Sequence, residues 1–396
     1  MTSPTLLIIS VALFCVIIYT YVGYPIALWL MCRFSSRRVP AAASLPLNDV
    51  DWPEVSIILT MHNAAGLVVP KLANLATIEY PGKINVNFVL DGCTDGTERH
   101  VQRAIEGGYR FPVYIWPQPE RLGKEAAIRS ALPHLPGKVL MFSDADAVLA
   151  SSAVKLLVRA LLEKNVGVAC GKEIVLTQSE SGAGSGHGLF YRYENAIKQM
   201  QARVSSLTYI QGGVFAMWKD LYPPTIPAGA TQDGAIAFYA VLSGKIVAHV
   251  DDAESTEPYY LRTSADFARR IRTVSRAFYT VICYPQIFLP SRTGNYGFHV
   301  FSGRFLRWMT IPIAVLANLL MIGPLIDGDI TARVILICQM IWVLLATCGF
   351  ILERCGVRWK LAYFCYYFSY IHFAAALAVM RVIFGHRIAV WKPSAN

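Results

Sequence analysis

The strongest constraint on this chain is a run without a single charged side chain, from Leu6 to Met31. Crossing a ~30 Å hydrocarbon core takes about 20 helical residues, so this run is long enough to span a bilayer. It lacks a basic leading segment and is long for a signal-peptide core, which favours a membrane span over a cleaved leader. Arg33, Arg37 and Arg38 follow it and place that flank in the cytosol. Three more apolar runs crowd the other end: Met309–Ile326, Val334–Leu352 and Leu361–Ile383. The loop at 327–331 has no basic residue before Arg333 and reads as external, whereas 353–360 carries three and reads as cytosolic. Four spans put both termini outside. Arg381, Arg387 and Lys392 would then lie on the disfavoured side, so the last span is expected to be re-entrant or interfacial.

The rest is a different kind of chain. Overall, 55% of residues are hydrophobic and 16% charged, against about 25% charged in an ordinary globular protein. Between Pro53 and Phe301 the charge density rises, and this length suffices for one α/β core. The expected division is a membrane helix in 1–33, a cytosolic domain over 50–301, about three spans in 302–385 and a tail at 386–396. The expected location is the inner or plasma membrane, as a multi-pass protein. A net charge of +10 suits a protein lying on an anionic leaflet or holding phosphates. No basic stretch is interleaved with aromatics, so no nucleic-acid partner is expected. The nine cysteines form no CxxC pair, and four lie in apolar runs, which argues against both a disulfide framework and a zinc site.

Inside the soluble part, β-rich runs alternate with helical ones. Val55–Thr60, Ile84–Leu90, Pro112–Trp116 and Lys138–Ser143 read as strands, with helices to about Ile78, from Glu98, over Gly123–Leu132 and over Ser151–Lys164. This alternation predicts βαβ units and a mostly parallel sheet covered on both faces. Ligands of such sheets bind beyond the carboxyl ends of the strands. There the chain carries Asp91 and the pair Asp144 and Asp146. In an extended segment, residues two apart face the same way, roughly 7 Å from each other. Two carboxylates so placed suit a hard divalent ion that completes its shell with water and phosphate oxygens; a solvated turn after a strand is the plainer alternative. Lys124 opens a helix whose N-terminus favours an anion, or it belongs to an ordinary basic surface helix. No GxGxxG or GxxxxGK[ST] pattern is present, which argues against a dinucleotide enzyme or a P-loop ATPase.

VSIILTMHN, VLDGCTDGT, RLGKEAAIRSAL, FSDADAVL, QGGVFAMWKDLY and TQDGAIAFYAVLSG follow one another at suitable spacing over about residues 20 to 310. Together they resemble the membrane-bound family 2 glycosyltransferases, the broad group of cellulose, chitin, hyaluronan and poly-N-acetylglucosamine synthases, with an exopolysaccharide-type bias. The resemblance implies a GT-A type domain inserted between the membrane helices and a nucleoside diphosphate sugar donor, most often UDP-linked. It places Asn63, Asp91, Lys124 and Asp144 on the nucleotide side, and Asp146 with Asp144 on Mg2+ or Mn2+. Asp233 falls at the catalytic base. Gln211, Gly212, Gly213 and Trp218 fall on the acceptor side, and Arg269, Arg270 and Arg272 near the diphosphate. The chain also departs from the pattern. Asn63 is followed by Ala64 where the family has Asn-Glu, and Leu90 stands where a first aspartate is common. Phe267-Ala-Arg-Arg-Ile-Arg272 replaces the QxxRW of processive synthases.

The implied reaction is an inverting displacement in which Asp233 takes the proton of an acceptor hydroxyl. The acceptor is expected to be lipid-linked or an oligosaccharide, or a polymer made with an export partner or a homo-oligomer. A processive synthase is the alternative within the class. Outside the class stands a transporter or channel with a regulatory α/β domain, but few ionisable residues lie inside the spans. Asp233 has a simpler reading as a helix cap, and the arginines of 269–276 as a lipid-contacting surface. The Gly/Ser-rich stretch around His187 is expected to be a loop.

Overall fold

The computed structural model describes residues 2–34, 51–176, 183–258, 263–357 and 359–386; the side chains of 175–176, 183–191, 258 and 263–265 lie outside that description. In chain order its main elements are helix α1 (Ser3–Phe34), strand β1 (Val55–Met61), α2 (Ala65–Ala76), β2 (Ile84–Asp91), α3 (Thr97–Ile105), β3 (Val113–Gln118), α4 (Lys124–Ala131), β4 (Val139–Ser143), β5 (Val148–Leu149), α5 (Ala153–Leu161), β6 (Val166–Leu176) and α6 (Ala183–Val204). There follow β7 (Phe215–Trp218), α7 (Gln232–Leu242), β8 (Ile246–Pro258) and α8 (Thr263–Cys283). Apolar helices α9 (Tyr296–Trp308), α10 (Thr310–Ile326), α11 (Ile330–Arg354) and α12 (Lys360–Ile383) complete the chain.

The strands form one sheet in the order β3-β2-β1-β4-β7-β6-β8-β5. It is a mixed sheet in which the expected parallel pairings predominate, four of seven. β3, β2, β1 and β4 run parallel, and so do β6 and β8, but β7 runs against both of its neighbours and β5 against β8. The reversal comes from β7, a four-residue strand that re-enters the sheet after α6. Its apolar FAMW makes a strand, but nothing local encodes its direction. Register pairs Val55 with both Ile84 and Val139, so β1, β2 and β4 end together at one edge.

Period-2 alternation divides the core between the two faces of this sheet. Ile57, Leu59, Phe88 and Met141 pack with α2 and α5 on one side. Ile58, Val89, Leu140 and Phe142 pack with α4 and α7 on the other. Burial on both faces explains why these strands are mostly apolar on both; the buried exceptions are bonded, Asn87 Nδ2 donating to Asn85 Oδ1 and Asn85 Nδ2 to Glu54 Oε1. Phe142 stacks on Phe215 with ring centroids 4.5 Å apart across the β4–β7 junction. Truncating such a residue to alanine costs about 3–5 kcal/mol.

Among the described residues, three helices, α1, α11 and α12, are long and apolar enough to cross a membrane, and a fourth span results if α9 and α10 count as one bent by 65°. The interruption thus falls in the first C-terminal span; α12, expected to be re-entrant or interfacial, is one continuous helix. Pro312, in the first turn of α10, lacks the N–H that would carry the hydrogen-bond ladder back into α9. α1 docks along α10, with Ser10 Oγ donating to the Ala317 carbonyl at 2.9 Å. α11 and α12 approach so closely that a Cβ at Gly349 would lie 2.1 Å from the Ala362 carbonyl oxygen. From Ala183 onward the backbone around His187 is helical; the start of that Gly/Ser-rich stretch, and the His187 side chain, lie outside the described residues.

Candidate active site at the carboxyl ends of the strands

β4 ends at Ser143, and Asp144 and Asp146 stand on the turn that follows, half-buried. The alternation expected of an extended segment therefore does not present them; the turn does. That turn rests on a residue the sequence did not single out. Lys71, on α2 and only 2% exposed, donates from Nζ to Ser143 Oγ at 2.8 Å and to the Ala147 carbonyl at 2.5 Å. Burial pulls its ammonium down to about 8, against the opposing pull of Asp144, Asp146 and Glu257. A lysine in an apolar helix reads as a surface residue; only the fold turns it inward beneath two carboxylates.

Asp91, at the end of β2 and 4% exposed, accepts from the backbone N–H groups of Leu122 and Gly123 at 2.8 and 3.0 Å. Gly92 permits this approach, because a Cβ there would lie 2.6 Å from the Arg121 nitrogen and its φ is +61°. The result fixes the loop before α4 and delivers Lys124 to the site. Lys124 Nζ meets Asp144 Oδ1 at 2.9 Å, with the two side chains 45% and 42% exposed. A pair so exposed contributes little stability; its importance is positional. Lys124 holds the Asp144 carboxyl below the usual carboxylate range. Partial burial lowers the lysine, but Asp144 more than offsets it and leaves the ammonium raised. Asn63, with φ at +49°, ties the β1 loop to the next through Thr94, whose N–H donates to Asn63 Oδ1 at 2.8 Å.

The turn Gln211-Gly212-Gly213 closes the other side. A Cβ on Gly212 would come within 3.8 Å of Asp144 Oδ2. At Gly213 a Cβ would lie 2.4 Å from Glu257 Oε1 and 3.2 Å from Glu173 Oε1. Gly213 N–H donates to Glu173 Oε1 at 2.9 Å, and Gln211 Oε1 accepts from the Glu173 N–H at 3.3 Å. Glu173 and Glu257, on the neighbouring parallel strands β6 and β8, are further members that the sequence did not reveal. Burial, followed by Glu173 and the two aspartates, raises the Glu257 carboxyl to about 8. Burial likewise raises Glu173. Trp218 is not part of this group. It pairs with Val139 at the opposite end of β4, and its indole N–H donates to the Val166 carbonyl at 3.2 Å. Antiparallel pairing carried it away.

Asp233 sits in the first turn of α7, but the cap is Thr231, whose Oγ1 accepts from the Gly234 N–H at 3.2 Å. The Asp233 carboxylate accepts from the same N–H at 3.0 Å. Its charge is felt at Lys124, Glu173, Tyr209 and Arg276. α8 forms the remaining wall. Arg269 acts on Asp144 and Glu257. Arg272 is lowered by burial and by Arg269 and Arg276. Arg276 donates from Nη2 to the Ala230 carbonyl at 2.7 Å. Arg270 turns the other way, onto Asp266 at 2.7 Å and the Tyr367 hydroxyl of α12 at 3.0 Å. Of the three arginines expected at a diphosphate, this one is held by a membrane-type helix.

The donor set has a definite chemical character. Among the described residues no three or more His, Cys, Asp or Glu side chains form a metal-holding group. Two hard carboxylates on one turn, with Asp144 Oδ2 left free by Lys124, match instead an ion that takes one or two protein oxygens and fills its shell from water and phosphate.

Residues 56–222 match the family model described as Glycosyl transferase family 2. An N-acetylglucosaminyltransferase of Rhizobium sp. (strain N33) is 29% identical over 147 residues, 36% of this chain and 31% of that one. A beta-monoglucosyldiacylglycerol synthase of Nostoc sp. (strain PCC 7120) is 25% identical over 130 residues, 33% of this chain and 28% of that one. The match thus spans about a third of the length of these curated relatives. Among solved structures, the mannosyltransferase PcManGT from Pyrobaculum calidifontis, in complex with GDP-Man and Mn2+, superposes with a TM-score of 0.68 at 20% identity, covering 96% of this chain and 99% of that one. The fold is therefore of the GT-A type, a mixed α/β sheet flanked by apolar helices.

Proposed function

We propose that this family 2 domain is an inverting glycosyltransferase that moves a sugar from a nucleoside diphosphate donor to a lipid-linked, oligosaccharide or polysaccharide acceptor at a membrane. One observation carries the proposal. The Asp144–Lys124 pair stands at the carboxyl edge of the sheet with Arg269 acting on one partner and Asp233 on the other. This gathers two carboxylates and two anion-binding cations from four separate elements. The names of the relatives and the GDP-Man and Mn2+ of the structural neighbour support a nucleotide sugar as the donor; the motif resemblance favours a UDP-linked one.

In this reading Asn63 and Asp91 shape the nucleotide pocket through the loops they hold. Lys124, Arg269 and Arg272 attract the diphosphate. The Gln211-Gly212-Gly213 turn leaves room for the acceptor beside Asp144. Asp233 receives the proton of the attacking hydroxyl, which raises the nucleophilicity of that oxygen as the bond to the anomeric carbon forms. A Mg2+ or Mn2+ ion held by Asp146 and Asp144 would offset the charge developing on the departing diphosphate. Arg270 and Trp218 take no part. The cytosolic placement of the site and its attachment through α1, α11 and α12 complete the proposal.

The test is release of nucleoside diphosphate from a panel of nucleotide sugars by detergent-purified protein, with and without Mn2+. Asp233→Asn is expected to lower kcat by about 10²–10⁴-fold and leave donor binding intact. Asp146→Ala is expected to abolish the metal dependence of donor binding. A near-normal rate for Asp233→Asn would remove the base from the scheme.

A further inference from the structure

A second group of polar side chains lies beside Tyr209, two residues before the acceptor-side turn. Lys198, on α6, is only 8% exposed, and its Nζ stands 5.8 Å from the centre of the Tyr209 ring. Arg304, on α9, places its guanidinium 4.5 Å from the same ring. Neither cation makes a hydrogen bond or an ion pair among the described residues, and the Tyr209 hydroxyl has no partner there either. The nearby Glu194 is paired with Arg307; it acts on Lys198 and Arg304, as Glu173 does on Lys198, without a direct ion pair. Two cations that repel each other therefore sit against one aromatic ring, with three sets of donor hydrogens unused. A ring face compensates a desolvated ammonium only weakly, and a buried charge ordinarily has a paired, hydrogen-bonded partner.

The position of the group identifies what would complete it. Asp233 and Glu173 act on Tyr209 from the catalytic side. On the other side, α6 is fastened to the apolar helix α1. Tyr193 donates to the Tyr21 carbonyl at 3.2 Å, and Gln201 Nε2 donates to the Tyr24 hydroxyl at 2.8 Å. Arg304 itself belongs to the bent apolar pair. The group thus occupies the seam between the α/β domain and the membrane-type helices, next to the proposed base.

We propose that Lys198, Arg304 and the Tyr209 hydroxyl form an anion subsite for the phosphate of a lipid-linked acceptor, whose apolar chain runs out between the helices while its reacting hydroxyl faces Asp233. This deepens the transferase reading and rests on it. A phosphate ester supplies acceptor oxygens to both cations and to the hydroxyl at once, and charge-assisted bonds of that kind are the strong ones.

The experiment uses the full chain in phosphatidylcholine nanodiscs, with dodecyl phosphate, dodecanol and inorganic phosphate as probes and empty nanodiscs as the blank. Dodecyl phosphate is expected to bind, dodecanol not, and inorganic phosphate at least tenfold more weakly. Lys198→Met and Arg304→Gln are each expected to weaken dodecyl phosphate at least tenfold, and Lys198→Arg to retain most of the binding, which separates the charge from the packing. Donor binding, measured in the same samples, is expected to be unchanged in all three variants. Equal binding of dodecyl phosphate by wild type and Lys198→Met overturns the subsite. Equal affinity for inorganic and dodecyl phosphate overturns the lipid source. If no nucleotide sugar binds wild-type protein, the transferase reading fails, whatever the alkyl phosphate does.

Discussion

Replacing Lys71 by methionine should change how stability depends on pH more than it changes stability at neutral pH. The ammonium of Lys71 is lowered from 10.5 to about 8 in the fold. Between those two values the unfolded chain binds the proton and the folded chain does not, so stability rises with pH across that window and is flat below it. At 1.36 kcal/mol per unit, the gain is about 3 kcal/mol. Methionine removes that slope. At pH 7 it also removes the cost of holding a buried charge, of about the same size. Against this relief, it leaves the Ala147 carbonyl without its donor, a loss of about 1–3 kcal/mol. The two nearly cancel. The expected result is a melting temperature within a few degrees of wild type at pH 7 and a clear deficit by pH 10, read as the difference between the two unfolding curves in one detergent. Parallel Tm–pH profiles would refute the placement of the charge beneath the aspartate turn.

Two further outcomes follow from the same geometry. Gly213→Ala should destabilise the protein by about 1–3 kcal/mol, the usual cost of overpacking, since its Cβ would meet Glu257 Oε1 at 2.4 Å. Pairing it with Glu257→Ala should recover most of the loss in a denaturation assay. Arg269→Gln should raise the donor KM with little effect on Tm. Arg270→Gln should do the reverse, because it breaks the contacts to Asp266 and Tyr367; donor binding and thermal unfolding read the two effects separately.

The legible parts of this molecule were those set by local pattern. The runs at Val55, Ile84 and Val139 are buried on both faces and therefore rich in apolar residues, and all three form the expected strands. The apolar helices were equally plain, since their composition alone sets their length. What sequence did not disclose depends on contacts between distant segments. β7 runs antiparallel, so Trp218, only five residues after Gly213, lies at the far end of β4 from the site. Lys71 and Glu257 meet the aspartate turn from opposite directions, and neither has a neighbour in sequence that hints at it. Consecutive arginines 269 and 270 could not be told apart until α8 was seen between the domain and α12.

That last arrangement has a mechanical consequence. Successive residues on a helix point about 100° apart, so α8 holds one guanidinium toward the carboxylates and the next against a bilayer-grade neighbour. Tilting or rolling the helix moves both together. The grip of Arg270 on Asp266 and Tyr367 and the approach of Arg269 to the carboxylates are therefore set by one rigid element, so a shift of α12 is transmitted to the acidic cluster.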